Sequence, residues 1–179
     1  MRVLVDATTL VALGRIGELD LLSCLDGSPQ VVPRVEDEVT TEPARTNLQR
    51  QLERDSESHF LSYVAAPNSP SRYDEAKSVL GEPDVNGDVE IITDVLHAID
   101  NGRPVGVVSD DQRVRTVARG LGATVTGTIG VIVRAVEARD MTTEQGKELV
   151  RRVDSHGLHM TGELREKAYE LVEDAAKSE

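Results

Sequence analysis

Short apolar runs of β type alternate with helical segments along the chain, and this alternation constrains the fold more than any other feature. The predicted strands are residues 2–5, 30–32, 61–66, 105–108 and 123–125. The predicted helical segments are residues 8–16, 19–25, a short stretch opened by Pro33 and ended by Pro43, and residues 47–60, 73–80, 88–100, 112–121, 131–138, 143–153 and 162–176. Strands that alternate with helices usually pair in parallel and are covered on both faces, so the pattern predicts a three-layer α/β/α fold around a central parallel sheet.

The length of 179 residues suits one domain with a sizeable core. The sequence has no run of 18 apolar residues and does not begin with a charged segment followed by a long apolar one. Neither a membrane span nor a signal peptide is therefore predicted. The single cysteine, Cys24, cannot form an internal disulfide and has no second thiol at metal-ligand spacing. We expect a cytoplasmic protein.

The formal net charge is −12, and of 20 basic residues only Lys77, Lys147, Lys167 and Lys177 are lysine. An acidic, arginine-biased surface keeps a protein soluble at high salt and predicts a halophilic, archaeal source. The same charge repels a phosphate backbone and disfavours nonspecific binding to nucleic acid. Any contact with nucleic acid must be local.

Acidic residues come at or just after the ends of two predicted strands. Asp6 comes after residues 2–5, and Asp110 and Asp111 come one residue after 105–108. In a parallel sheet these positions meet at the carboxyl edge, where ligands bind. Asp6 alone could instead cap a helix. The repulsion between Asp110 and Asp111 could be offset by a bound cation, or by Arg113 and Arg115.

A third acid comes from the short segment that follows the second strand. Glu36, Asp37, Glu38 and Glu42 compete for this position. Residues three apart share a helix face, which places Glu38 near the inward face of Val35, whereas Glu36 and Asp37 diverge from it. Glu38 is therefore the preferred candidate, and Glu42 lies one turn further on.

A fourth acid opens the helix at 88–100. At about 100° per residue, Asp88 falls within the apolar stripe of that helix, and Glu90 and Asp94 are predicted to point away; the stripe consists of Ile91, Ile92, Val95 and Ile99. Asp88 could serve only as a helix cap. Together with the other three acids, it could instead complete an oxygen-ligand site for Mg²⁺ or Mn²⁺.

These residues resemble the PIN domain family. The run Val3-Leu4-Val5-Asp6-Ala7-Thr8 is similar to the opening of a PIN domain, where the first metal-binding Asp ends the first strand and Ser or Thr follows two places later. Glu38 matches the conserved Glu of the family, and Asp88-Val89-Glu90-Ile91-Ile92 resembles the third acid at a helix start. Ser109-Asp110-Asp111 resembles the family's Ser/Thr-x-Asp.

An archaeal and bacterial PIN subgroup is the closer match. The similarity lies in Gly87-Asp88-Val89-Glu90, in the Asp110-Asp111 pair and in Thr126-Gly127-Thr128-Ile129-Gly130-Val131. This subgroup usually has Glu where Asp88 stands, which keeps Glu90 as an alternative ligand. The resemblance covers residues 1 to about 138 and continues weakly to the end.

The resemblance implies a fold of ribonuclease-H-like arrangement and a metal-dependent endoribonuclease. A catalytic domain is expected over residues 1–140, with residues 141–179 as a helical extension packed on it. The implied ligands of Mg²⁺ or Mn²⁺ are Asp6, Glu38, Asp88 and Asp111, with Asp110 auxiliary and Thr8 and Ser109 as hydrogen-bonding support. The substrate would be RNA. PIN proteins are often VapC-type toxins that form homodimers and bind an antitoxin protein.

Arg113 and Arg115 follow the acidic pair and are candidates for binding substrate phosphates, although a solvated face of ion pairs explains them equally well. Two alternatives to the ribonuclease remain. Asp6 also resembles the nucleophile of a haloacid-dehalogenase-type phosphatase, but Thr8 stands where that family has a second Asp. The other alternative is a catalytically silent PIN-like module that only binds a partner.

Overall fold

A five-stranded sheet, parallel throughout, forms the centre of the computed structural model, which describes residues 1–53, 60–64 and 69–177. The strands are β1 (Arg2–Val5), β2 (Ser28–Val31), β3 (Ser62–Tyr63), β4 (Val105–Val108) and β5 (Thr124–Thr126), in the order β3-β2-β1-β4-β5. Every neighbouring pair is parallel. The predicted central parallel sheet is confirmed.

The most deeply buried strands are β1, at the centre of the sheet, and β4 beside it. Their register pairs Val3 with Gly106 and Val5 with Val108, and every residue of β4 is buried. Short, apolar, β-branched strands of this kind are stable where helices cover both faces. The strand order reverses between β1 and β4, so the crevice where such folds bind ligands lies at the carboxyl ends of these two strands.

Helices cover both faces of the sheet. They are α1 (Ala7–Arg15), α2 (Pro33–Glu38), α3 (Ala44–Glu53), α4 (Pro70–Leu80), α5 (Gly87–Asp100), α6 (Gln112–Gly120), α7 (Thr128–Ala138), α8 (Thr143–Val153) and α9 (Gly162–Ala175). One layer is built from contacts among α2, α4, α5 and α6, and the other from contacts among α1, α3, α7, α8 and α9. The three-layer α/β/α prediction is confirmed.

Several predicted boundaries differ from the observed ones. Residues 19–25 form a 3-10 helix over Leu19–Cys24, and α2 ends at Glu38 because Val39 leaves helical geometry with ψ of 79°. Helix α7 begins at Thr128, three residues earlier than predicted, because Gly127, with an extended backbone, is its N-cap. The helix predicted at 47–60 begins at Ala44, and the strand predicted at 61–66 is β3; residues 54–59 and 65–68 lie outside the described ranges.

The prediction that Glu90 and Asp94 point away from the core is wrong. Helix α5 lies between the sheet and neighbouring helices and is buried on nearly all sides, with Glu90 5 % and Asp94 1 % exposed. A buried carboxylate requires a partner. Both Asp94 oxygens accept from Nη1 of Arg2, at 2.7 and 2.8 Å.

The C-terminal helices α8 and α9 pack against α7 and against each other. Thr142 and Gln145 form a reciprocal capping box at the start of α8. An irregular turn, Asp154–Leu158, joins the two helices and contacts α1. A domain boundary near residue 140 stays a prediction. In the described part of the chain, no helix is both long and apolar enough to cross a membrane.

Candidate active site

Asp6 lies at the carboxyl end of β1, beside the end of β4. Its backbone N–H donates to the Val108 carbonyl at 2.9 Å, and its side chain is 2 % exposed. Oδ2 accepts hydrogen bonds from the hydroxyls of Thr8 at 2.8 Å and Ser109 at 2.6 Å. Asp6 precedes α1, but its side chain does not make the capping hydrogen bond proposed as the simpler explanation.

The environment of Asp6 shifts the pKa of its carboxyl upwards. Burial raises its pKa, an effect opposed by the hydrogen bonds from Ser109 and Thr8 and reinforced by the negative charge of Asp110. The two hydroxyl donors fix the carboxylate in one orientation. Thr8 and Ser109, predicted as hydrogen-bonding support, both donate to Asp6.

Glu38 is the last residue of α2 and reaches the first residue of α5. Its Oε1 accepts the backbone N–H of Gly87 at 2.7 Å. A Cβ at position 87 would lie 2.7 Å from Oε2 and 2.9 Å from Cγ2 of Val35, so only glycine fits without displacing a neighbour. The favourable interaction of a carboxylate with a helix N-terminus holds Glu38 next to Asp88.

Asp88 is not the cap of α5. Asn86 takes that position, and its side chain accepts the N–H of Val89 at 2.9 Å. The Asp88 carboxylate therefore makes no capping contact that explains its place on the buried side of the helix. The alternative interpretation, in which Asp88 serves only as the helix cap, is therefore not supported.

The pKa of Asp88 is raised to about 7. Burial is the largest cause, followed by the negative charges of Asp6, Asp111 and Glu38; the guanidinium of Arg113 opposes them. The carboxylates from β1, α2, α5 and the end of β4 thus influence one another electrostatically. Four separate segments bring negative charge to one place.

Asp111 caps α6, and its position is fixed by that role. Oδ1 accepts the N–H groups of Arg113 at 2.8 Å and Val114 at 3.0 Å, and its own N–H donates to Ser109 Oγ at 3.1 Å. No residue in the described ranges donates a hydrogen bond to Oδ2. The capping interaction therefore leaves one oxygen of Asp111 for another ligand.

Asp110 faces the start of α7. Its carboxylate accepts the backbone N–H of Thr128 at 2.9 Å and the hydroxyl of the same residue at 2.5 Å. A Cβ at Gly127 would lie 2.5 Å from Asp110 Oδ1, so the close approach requires glycine. Asp110 joins β4 to α7 and borders the site.

The alternative ligand, Glu90, is directed elsewhere. Oε2 accepts the backbone N–H of Arg34 at 2.8 Å, and Oε1 accepts the hydroxyl of Tyr73 at 3.3 Å. Both oxygens are used to hold α5 against α2 and α4. Of the two acids at this helix start, Asp88 is the one coupled to the other carboxylates.

The two arginines predicted to bind substrate make contacts within the chain. Arg113 pairs with Glu82, and its Nη2 lies 3.7 Å from Asp88 Oδ2. Nη1 of Arg115 donates to the Ser109 carbonyl at 2.9 Å. Arg113 therefore balances part of the negative charge of the site.

A cavity of about 550 Å³ opens beside the carboxylates, bounded by Ala7, Thr8, Val11, Ala12, Glu38, Asp110, Asp111, Gly157 and Leu158. Gly157 and Leu158, which come from the turn before α9, were not predicted from the sequence to line the site. No site role was predicted for Gly87 either, although its position before Asp88 is the signal that could have identified it. Thr128 belongs to the motif at residues 126–131, but its contact with Asp110 was not predicted.

A family model described as the PIN domain matches residues 2–174. The chain belongs to the PIN domain family. PIN domains are in general nucleases and typically use divalent metal ions. A comparison with curated proteins gives no match. The match supports the family and leaves the archaeal and bacterial subgroup a prediction.

The acids of this PIN domain fit a hard divalent cation by their chemistry. They offer only oxygen donors, the hydrogen bonds to Glu38 and Asp111 each leave one oxygen unused, and a cation would relieve the repulsion that raises the pKa of Asp88. The side chains do not form a closed ligand shell: among the described residues, no three His, Cys, Asp or Glu side chains are grouped so as to hold a metal ion.

Proposed function

We propose that this PIN domain is a metal-dependent endoribonuclease that hydrolyses RNA phosphodiester bonds with Mg²⁺ or Mn²⁺ held by Asp6, Glu38, Asp88 and Asp111. The observation that carries the proposal is the placement of Asp88, which follows the Gly87 that binds Glu38 and whose pKa is raised by burial and then by the charges of Asp6, Asp111 and Glu38. Perturbed carboxylates of this kind are concentrated at functional sites. The family's general nuclease activity supports the same conclusion.

The chain's own residues would provide a fixed set of ligands. Thr8 and Ser109 hold Asp6, Gly87 holds Glu38, and the start of α6 holds Asp111. Such support reduces the reorganisation needed when a ligand binds. Asp110 would act as an auxiliary residue by fixing the adjoining start of α7.

A divalent cation bound to these residues would activate the attacking water, neutralise the phosphate and stabilise the leaving oxygen. Asp88 must be ionised to act as a ligand, so it would release its proton when the site is loaded near neutral pH. Arg113, placed beside Asp88, would limit the repulsion between the acids before loading.

The biological setting belongs to the same proposal. We infer a cytoplasmic toxin of a toxin–antitoxin pair that forms a homodimer and is inhibited by an antitoxin protein. The resemblance to VapC-type proteins supports this role. A net charge of −12 would favour a partner segment that is basic.

A catalytically silent PIN-like module is the second candidate. The absence of a closed group of ligands among the described residues favours it, and so does the pairing of Arg113 near Asp88. The phosphatase alternative has no such support, because Thr8 donates a hydrogen bond where that mechanism requires a second carboxylate.

The test is cleavage of RNA by the purified full chain in high salt, with Mn²⁺ or with excess EDTA. We expect cleavage that requires the metal and that Asp6→Asn and Asp111→Asn each abolish; Asn preserves the shape of Asp6 and the cap made by Asp111. Asp84→Asn, at an exposed acid outside the site, is the matched control. Equal cleavage in EDTA would contradict the metal mechanism. Intact RNA together with no Mn²⁺ binding would identify the silent module.

A further inference from the structure

The proposed ribonuclease lacks an evident group to bind the phosphates of its substrate. Asp6, Glu38, Asp88 and Asp111 repel a polyanion, and Arg113 and Arg115 are occupied within the chain. Few aromatic side chains are present, at 2 % of the sequence, so base stacking cannot supply most of the affinity. A cationic surface must lie near the carboxylates for RNA to remain bound there.

Such a surface adjoins the acidic cavity. Gly157, which lines that cavity, also lines a second one of about 340 Å³. The second cavity is bounded by Arg15, Glu42, Pro43, Ser155, His156, Gly157 and His159. The acidic site and a space containing a guanidinium and two imidazoles therefore share one wall.

The guanidinium of Arg15 is free to accept an anion. Nη1 donates to the carbonyl of His156 at 2.9 Å, and no carboxylate in the described part of the chain lies within ion-pair distance. Arg152, also close to α1, differs in being paired with Glu18 at 2.7 Å. A guanidinium has five N–H donors in a fork that matches phosphate, and one hydrogen bond leaves most of them available.

Among the described residues, one acid lines the second cavity, and it is already engaged. Glu42 accepts the backbone N–H of Thr46 at 3.2 Å, near the start of α3. Its charge is therefore partly balanced by the α3 N-terminus. The guanidinium of Arg15 is therefore a charged group in this cavity that can still bind a ligand.

The turn that carries the other polar groups is held in place before any ligand binds. Asp154 accepts the N–H of Met160 at 2.8 Å and Nε of Arg165 at 2.7 Å, and Nδ1 of His156 lies 2.7 Å from the Arg152 carbonyl. A φ of 135° at Gly157 brings the chain close to Arg15. A preformed turn lowers the entropic cost of binding.

We propose that Arg15 and the turn at residues 155–159 bind the phosphate backbone of the RNA next to the bond that is cut. This inference rests on the proposed ribonuclease function. Arg15 ends α1, eight residues after Ala7, which lines the acidic cavity; the distance along the helix is about 12 Å. A phosphate bound at Arg15 would therefore lie close to the scissile one along the same strand. The ligand is the phosphate backbone of RNA, recognised by charge.

The test measures binding of a fluorescein-labelled single-stranded RNA to full-length protein that carries Asp6→Asn, by anisotropy at several salt concentrations. Adding Arg15→Gln should weaken binding about 10-fold, as expected for one charge-assisted contact, and should reduce the slope of log K against log[salt] by about 0.7. A merely structural residue would not change that slope. Arg103→Gln, at an exposed arginine before β4 and so at the opposite edge of the sheet, is the matched control.

A gain-of-charge variant makes the test independent of whether Arg15→Gln folds. Ser155 is exposed and lines the same cavity, so Ser155→Lys should strengthen RNA binding and increase the salt slope. Unchanged affinity and slope in both Arg15→Gln and Ser155→Lys would overturn the inference, while metal-dependent cleavage by the wild type would still support the ribonuclease. A wild type that neither cuts nor binds RNA would overturn both.

Discussion

At the scale of single residues, Asp88 shows that ionisation of the site is unfavourable in the folded protein. Its pKa of about 7 lies above the ordinary 3.8 because of burial and three neighbouring acids. Between these two values the unfolded chain is ionised at Asp88 whereas the folded protein holds a proton. The folded state binds more protons, so stability falls as pH rises through this window.

The metal-free protein should therefore melt at a lower temperature at pH 7.5 than at pH 5.5. Asp88→Asn should raise the melting temperature at pH 7.5, by about 2–4 °C for each kcal/mol of repulsion relieved, and the gain should shrink at lower pH. Thermal melts in EDTA measure both effects, with Asp84→Asn as the control for removal of an exposed charge. A pH-independent difference between wild type and Asp88→Asn would contradict the electrostatic explanation.

Gly87 makes a second residue-scale prediction, because the missing side chain is what allows Glu38 to reach α5. Gly87→Ala places a Cβ 2.7 Å from Glu38 Oε2 and should lower the melting temperature and the Mn²⁺ affinity. Gly120→Ala, with nothing within 4 Å of its Cβ and a helical backbone, should be neutral or stabilising by about 0.5–1 kcal/mol. Equal melting temperatures and equal Mn²⁺ affinities in Gly87→Ala and Gly120→Ala would contradict this role of Gly87.

The sequence predicts which acids form the candidate site, and that assignment stays a prediction; most of the contacts that these acids make could not be predicted. Asp6 and Asp111 follow apolar strands, a position that local pattern reveals. The hydrogen bond between Glu38 and Gly87 joins residues 49 apart, and that between Asp6 and Ser109 joins residues 103 apart. Such contacts depend on tertiary packing, which a single sequence does not show.

At the scale of elements, the alternation of strands and helices was sufficient to predict the sheet. It was not sufficient to predict what surrounds each helix. The period of α5 indicated one apolar stripe, yet Asp94 is buried as well, and Arg2 from β1 compensates its charge. Likewise, the sequence pattern placed α8 and α9 but not the turn between them. That turn packs against α1, and both line the acidic cavity.

The turn at Asp154–Leu158 should depend on Asp154. Asp154→Ala removes the acceptor for the Met160 N–H and the partner of Arg165, so the Met160 amide should exchange its hydrogen faster. Hydrogen-exchange mass spectrometry of the peptide that contains Met160 measures this, with Ser155→Ala as the neighbouring control. Unchanged protection of Met160 would show that other contacts hold the turn.

At the scale of the whole molecule, a net charge of −12 should make stability depend on salt. Raising KCl from about 0.1 to 1 M shortens the Debye length from about 10 to 3 Å and screens repulsion between surface acids. The melting temperature should rise with KCl. A flat or falling melting temperature would contradict the halophilic interpretation of the composition.

The central claim is that carboxylates from separate segments bind one cation. The most direct test is a comparison of thermal melts of wild type and Asp6→Asn, in EDTA and in Mn²⁺ at constant ionic strength. Without metal, Asp6→Asn should melt higher because one repelling charge is gone. With Mn²⁺, the wild type should gain stability and the variant should not. Equal Mn²⁺-induced shifts in the two proteins would contradict the assignment of Asp6 as a ligand.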